Sequence, residues 1–158
     1  MATVIRGGDN FDTADNATQT ELDAKVVGKV LQVASSSDST SMDVGNGVYA
    51  DTGMSVTMTP ASVNSKFFAV WSIQANLDDN EGFGCYLDRN GTHVFESLNT
   101  STLPYGVTRN RGYWGFNELD APNTTAPVTY TVGVLGFGVP TINNYGTETV
   151  LTVMEISE

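Results

Sequence analysis

Apolar and polar side chains alternate with a period of two over much of residues 54–95. Residues 54–59 alternate, residues 60–65 interrupt the pattern, and residues 66–75 resume it. Such alternation places apolar side chains on one face of a pleated strand. The pattern therefore predicts two β-strands separated by a short break that begins at Pro60.

Asn90 and Gly91 mark a tight turn between two further predicted strands, at residues 84–89 and 92–96. Both residue types tolerate the positive φ angles that a two-residue hairpin loop requires. The sequence therefore predicts a β-hairpin here.

Regular turn signals separate seven or eight predicted strands in all. The remaining ones are three strands rich in β-branched and apolar residues, at 26–33, 128–134 and 149–156, and a short aromatic strand at 111–116. Serine-rich residues 34–41 and proline-containing residues 120–127 are predicted loops. We therefore expect an all-β fold, an antiparallel β-sandwich of the jelly-roll type.

Residues 1–24 differ in composition from the rest of the chain. They contain five acidic residues, a single basic residue, Arg6, and little apolar periodicity. A segment of this composition cannot bury itself. We therefore expect an extended N-terminal arm that is either disordered or, as we favour, docked on a partner through Val4, Ile5 and Phe11, followed by a sandwich domain of residues 25–158.

The predicted strand at residues 66–75 is apolar on both faces. One face carries Phe67, Ala69, Trp71 and Ile73, and the opposite face carries Phe68 and Val70. Only one face of a strand meets the opposite sheet in a two-layer sandwich. The second apolar face predicts a cover supplied by a loop, the arm or another subunit, which makes Phe68 and Val70 candidate partner-binding residues.

Charge and hydropathy exclude several kinds of partner. The 158 residues include 7 basic and 18 acidic ones, so the net charge is −11. Nucleic-acid binding needs a basic surface, and an anionic membrane would repel this chain. The sequence has neither the apolar segment of a signal peptide nor a run long enough to span a bilayer. We expect a soluble protein that is not exported by the usual route.

Candidate catalytic and metal-binding residues are few. One histidine, His93, and one cysteine, Cys85, cannot form a zinc site without carboxylates. Asp88 could orient His93, but no nucleophile motif accompanies the pair, so we expect a surface histidine and a buried cysteine. Residues 78–81 are acidic without the spacing of a calcium loop, although calcium binding stays open. The sequence predicts neither catalysis nor a cofactor.

Aromatic residues cluster between residues 105 and 116. Tyr113, Trp114 and Phe116 are suited either to stacking on a sugar ring or to packing onto the sandwich. They complete the candidate partner-binding set.

Four segments resemble small virion proteins of tailed bacteriophages, especially phages of cyanobacteria and other marine hosts. The segments are YADTGMSVTMTP at residues 49–60, SKFFAV at 65–70, LDRNGT at 87–92 and TVLTVMEI at 149–156. Head decoration proteins and tail-fibre tips share this pattern. The resemblance implies a trimeric β-sandwich on the outer surface of a virion, made in the bacterial cytoplasm, without catalysis.

Two functional hypotheses follow from the resemblance. The first is a capsid decoration (cement) protein that binds the major capsid protein, or another virion protein, as a homotrimer anchored through the arm. The second is a tail-fibre or knob module that binds a host-surface glycan. The short chain, without shaft repeats or coiled-coil heptads, favours the first hypothesis.

Overall fold

The computed structural model describes residues 28–102, 110–143 and 146–158. Their ten β-strands are β1 Val30–Asp38, β2 Met42–Asp43, β3 Tyr49–Met58, β4 Lys66–Leu77, β5 Gly82–Arg89, β6 Thr92–Thr102, β7 Asn110–Asp120, β8 Val128–Phe137, β9 Thr141–Ile142 and β10 Thr149–Ile156. In this part of the chain, no helix is long and apolar enough to cross a membrane.

Two antiparallel sheets form the fold. In sheet A the long strands follow the order β1-β10-β4-β7, and the short strands β9 and β2 continue beside β4. Sheet B has the order β3-β8-β5-β6. If only the eight long strands are numbered, these orders become 1-8-3-6 and 2-7-4-5, which is the strand order of a jelly roll. The predicted all-β, antiparallel, jelly-roll sandwich is confirmed.

The core lies between the two sheets, around Trp71 of β4. Its indole ring stacks on Phe116 with ring centroids 5.6 Å apart and meets Phe95 edge-on at 5.2 Å. The indole Nε1 donates to Cys85 Sγ at 2.9 Å. Cys85 is buried, as the sequence predicted, and burial raises the pKa of its thiol to about 12.

Strand β1 extends further than the sequence predicted. Residues 34–38, predicted as a loop, pair with residues 149–153 of β10. The side chains of Ser35 and Thr152 hydrogen-bond each other across the two strands, at 2.9 Å. The loop prediction was wrong because serine composition resembles a loop, whereas pairing with a distant strand decides the conformation.

The predicted hairpin between β5 and β6 is confirmed. Asn90 and Gly91 both have positive φ angles, 51° and 80°. Asn90 also ties the turn to β8, because its Oδ1 accepts the Thr129 amide at 2.8 Å while its own amide donates to the Thr129 carbonyl at 2.9 Å.

A polar cluster joins the two sheets. Arg89 of sheet B donates to both carboxylate oxygens of Asp120 in sheet A, at 2.7 and 2.8 Å. The Tyr130 hydroxyl donates to the same carboxylate at 2.7 Å. Both arginine bonds come from the single nitrogen Nη1, and these charge-assisted hydrogen bonds connect strands of the two sheets.

Candidate interaction surfaces

The middle of the outward face of sheet A carries no charged side chain, and Lys66 and Arg111 lie at its two ends. Backbone register places three rows of residues across β1, β10, β4 and β7 on this face. With the end residues Ile156 and Tyr113, its members are Val33, Ser35, Ser37, Val150, Thr152, Met154, Ile156, Phe68, Val70, Ser72, Tyr113, Gly115, Asn117 and Leu119. We call this set the uncharged face.

One row of the uncharged face is entirely apolar. Val33, Met154, Phe68 and Leu119 are cross-strand neighbours on four successive strands. Val33 is 57% exposed and Leu119 52%, and Val70 in the next row is 38% exposed. Contiguous exposed apolar patches are uncommon on monomeric proteins and mark interaction sites. The outward apolar positions of β4 thus belong to a patch four strands wide.

The structure divides the candidate aromatic residues between two environments. Tyr113 lies on the uncharged face and is 62% exposed. Trp114 and Phe116 are half-buried and pack against the core, Trp114 edge-on to Phe83 at 5.1 Å and Phe116 stacked on Trp71. Tyr113 therefore joins Phe68 and Val70 on one surface, whereas Trp114 and Phe116 serve the sandwich interior. Val4, Ile5 and Phe11 lie outside the described residues.

Sheet B carries a second surface feature, which we call the ring cluster: Tyr49, Tyr86 and His93. The ring centroids are 5.5 Å apart for Tyr49 and Tyr86, 4.7 Å for Tyr86 and His93, and 5.8 Å for Tyr49 and His93. Tyr86 lies over Gly133 of β8, where a Cβ atom would collide with its ring. Glycine thus makes room for the buried central ring, while Tyr49 and His93 remain exposed.

Carboxylates surround the ring cluster. Asp88 Oδ1 hydrogen-bonds His93 Nδ1, the pairing that the sequence allowed, and Glu96 accepts the Tyr49 hydroxyl at 2.8 Å. The bond to Glu96 raises the pKa of Tyr49. Burial, with the Asp88 and Asp51 charges, raises the pKa of Tyr86 to about 12. Both tyrosines therefore stay protonated at neutral pH.

The pair of Asp88 and His93 orients an imidazole but does not complete a catalytic triad. A triad also needs a hydroxyl or thiol that hydrogen-bonds the second ring nitrogen. Among the described residues, no hydroxyl or thiol hydrogen-bonds His93. Local sequence does not indicate that Tyr49 and Tyr86 meet His93. The one local signal is Gly133 within a strand, a position where another group often approaches closely.

The acidic turn at residues 78–81 has a structural role. The Glu81 carboxylate accepts the Asp78 amide at 2.7 Å and the Val139 amide at 3.2 Å. Within the described ranges, no group of three His, Cys, Asp or Glu side chains is placed to hold a metal ion. Glu81 thus holds this turn against the chain segment that follows β8.

Comparisons with known proteins find similarity only at the level of the fold. No family model and no curated protein matches the chain. Three solved structures from infectious bursal disease virus are similar. The VP2 subviral particle has 12% identity and a TM-score of 0.44, with 82% of this chain matched to 38% of that chain. The structure of the Gx strain has 13% identity and a TM-score of 0.46, with 79% of this chain matched to 40% of that chain. The structure of T=1 particles derived from the virus has 13% identity and a TM-score of 0.40, with 82% of this chain matched to 37% of that chain. The matched part is thus about two fifths of each viral chain, and at these TM-scores the likeness says nothing about function.

Proposed function

We propose that this chain is a non-enzymatic structural protein of a bacteriophage virion, a decoration protein that binds the outside of the head as a homotrimer. The observation that supports the proposal is the uncharged face. A jelly roll needs only its inner faces to fold, so an exposed apolar row on an outer face indicates a contact with another chain.

The distribution of charge over the surface supports contacts between copies of this chain through the uncharged face. Two copies with a net charge of −11 each repel one another. The uncharged face is where they can approach without bringing like charges together, because all of its members are neutral. The absence of charge on this face is therefore suited to self-association.

The segments that resemble phage virion proteins have structural roles in this fold. They form β3, the start of β4, the turn between β5 and β6, and β10. Their distinctive residues include Ser65 and Glu155, which support the loop after β3, and Asn90, which supports the hairpin. The resemblance in these segments therefore supports a scaffold shared with phage virion proteins, and an assembly protein needs such a scaffold.

Two measurements test the decoration role. Quantitative mass spectrometry of purified virions should find hundreds of copies of this chain, and about a dozen copies or fewer would contradict the proposal.

In parallel, Val33→Glu should weaken trimer formation and binding to heads, because it puts a charge into the apolar row. Ser55→Glu, on the exposed outer face of sheet B, is the matched control and should leave both unchanged.

Removing residues 1–24 tests the anchoring role of the arm. The truncated protein should keep its fold, since the strands among the described residues begin at Val30, but it should lose binding to heads. Undiminished binding of the truncated protein would exclude an anchoring arm. Circular dichroism of the purified variant checks that the sandwich has folded.

The ring cluster favours a second candidate function, a tail-fibre or knob module that binds a glycan. Its exposed tyrosine ring offers a stacking surface, and its carboxylates offer acceptors for hydroxyl groups. Tyr49→Leu should then abolish a glycan-array signal that Tyr113→Leu, on the uncharged face, leaves intact. Equal signals from both variants and the parent protein would remove this candidate.

A further inference from the structure

We propose that residues 4–11 of a neighbouring copy lie across the uncharged face, so that copies exchange N-terminal arms. The proposal rests on the proposed assembly function and names the segment that makes the contact. Ile5 and Phe11 of the arm, which an extended segment places on one side, would contact this face.

The arm joins the sandwich beside the uncharged face. The Gly28 amide donates to the Ser157 carbonyl at 3.0 Å, and the Ser157 amide donates to the Lys29 carbonyl at 2.9 Å. These bonds continue the pairing of β1 with β10 up to the corner where Ile156 ends the face. Residues 1–27 therefore start from the edge of the surface that needs a cover.

The length of the arm permits contact with a neighbouring copy. Three strand spacings make the uncharged face about 14 Å across, and residues 4–11 span about 25 Å when extended. Residues 12–27 add a further reach of about 50 Å. An arm with this much chain between its apolar segment and its attachment point can extend beyond its own sandwich to the next one.

Charge complements the arm at the same corner. Lys66, the cross-strand neighbour of Ile156, and Lys29 are both exposed there. Neither lysine forms an ion pair within the described residues. Asp9, Asp12 and Asp15 lie close to the apolar residues of the arm. An arm seated with its apolar side chains on the row can thus place acidic groups beside lysines at the rim.

Engineered cysteines test the contact in the full-length protein. Phe11→Cys combined with Leu119→Cys should form a disulfide under mild oxidation. Cys85 does not interfere, because it is buried and its pKa is raised to about 12. Phe11→Cys combined with Ser55→Cys places the second cysteine on the opposite outer face and is the matched control. Ile5→Cys with Leu119→Cys repeats the test if loss of Phe11 weakens docking.

A mixture of ¹⁴N- and ¹⁵N-labelled protein identifies the chain that supplies the arm. We expect covalent dimers and larger species on a non-reducing gel, with mass spectrometry showing ¹⁴N–¹⁵N crosslinks. A disulfide found only within single chains, or equal crosslinking in the Ser55→Cys control, would overturn arm exchange. Light scattering of the parent protein separates the two proposals: a trimer without these crosslinks refutes arm exchange alone, whereas a monomer that binds no heads refutes both.

Discussion

The least expected single residue in this fold is Glu155, a fully buried carboxylate on the inner face of β10. It accepts hydrogen bonds from the Ala61 amide and from Gln32 Nε2, both at 2.6 Å. Burial alone would raise its pKa, but hydrogen bonds from Ser65, Ala61 and Gln32 outweigh burial and hold the pKa below its ordinary value of 4.5. One carboxylate thus ties β1 and the loop after β3 to the last strand.

Replacing Glu155 with Gln should lower the free energy of unfolding by about 1.5–3 kcal/mol, because an amide group cannot accept all of these bonds. A group whose pKa is lower in the folded state than in the unfolded state stabilises the fold at pH values above its unfolded-state pKa. This stabilisation is lost as the pH falls through the folded-state pKa. The difference in free energy of unfolding between the parent and the variant should therefore reach its full size above about pH 5 and shrink below about pH 4.5. Urea denaturation at pH 7 and pH 3.5 checks this expectation.

Glu148→Gln serves as the control for Glu155, since Glu148 is exposed. It should change stability by less than about 0.5 kcal/mol at either pH. A Glu155→Gln protein as stable as this control at pH 7 would show that the buried carboxylate contributes nothing.

At the scale of elements, sequence pattern sufficed where local periodicity sets the structure. β10 matches its predicted bounds of residues 149–156, and Phe67, Ala69, Trp71 and Ile73 of β4 all point into the core. Features that depend on pairing between distant strands were not predictable. The second half of β1 exists because β10 lies beside it, and the ring cluster joins β3, β5 and β6 across β8.

The same distinction explains which parts of the candidate surfaces were predictable. Alternation along β4 revealed that Phe68 and Val70 point outward, because face assignment is a local property of a strand. It did not reveal Val33, Met154 and Leu119 as their neighbours, since strand order and register are set by the whole jelly roll. The direction of Trp114 into the sandwich similarly depends on how β7 pairs with β4.

The hairpin between β5 and β6 provides a test at this scale. Gly91 has φ +80°, and a methyl group added at its Cα would meet no atom within 4 Å, so Gly91→Ala meets backbone strain without a steric clash. We expect a loss of about 1 kcal/mol in the free energy of unfolding, measured by urea denaturation. Gly115→Ala, equally open but without a positive φ, should be neutral or slightly stabilising. Equal effects of the two substitutions would contradict a strained turn.

At the scale of the molecule, two surfaces of opposite character lie on the outer faces of the two sheets. The uncharged face of sheet A suits contact with other copies, whereas the ring cluster on sheet B is bordered by Asp51, Asp88 and Glu96. An oligomer built through sheet A leaves sheet B open to solvent or to a further ligand. The two candidate functions therefore do not compete for one surface.

Assembly through the uncharged face makes thermal stability depend on protein concentration. If only the folded chain associates, mass action raises Tm as concentration rises, because binding removes folded monomer from the unfolding equilibrium. Calorimetry of the parent protein over a range of concentrations of about a hundredfold should show this increase. Leu119→Glu should abolish it while leaving the Tm of the dilute protein nearly unchanged, since Leu119 is an exposed position of the free sandwich and its loss removes no core packing. A parent Tm independent of concentration, or a Leu119→Glu Tm that still rises with it, would mean that copies do not assemble through this face.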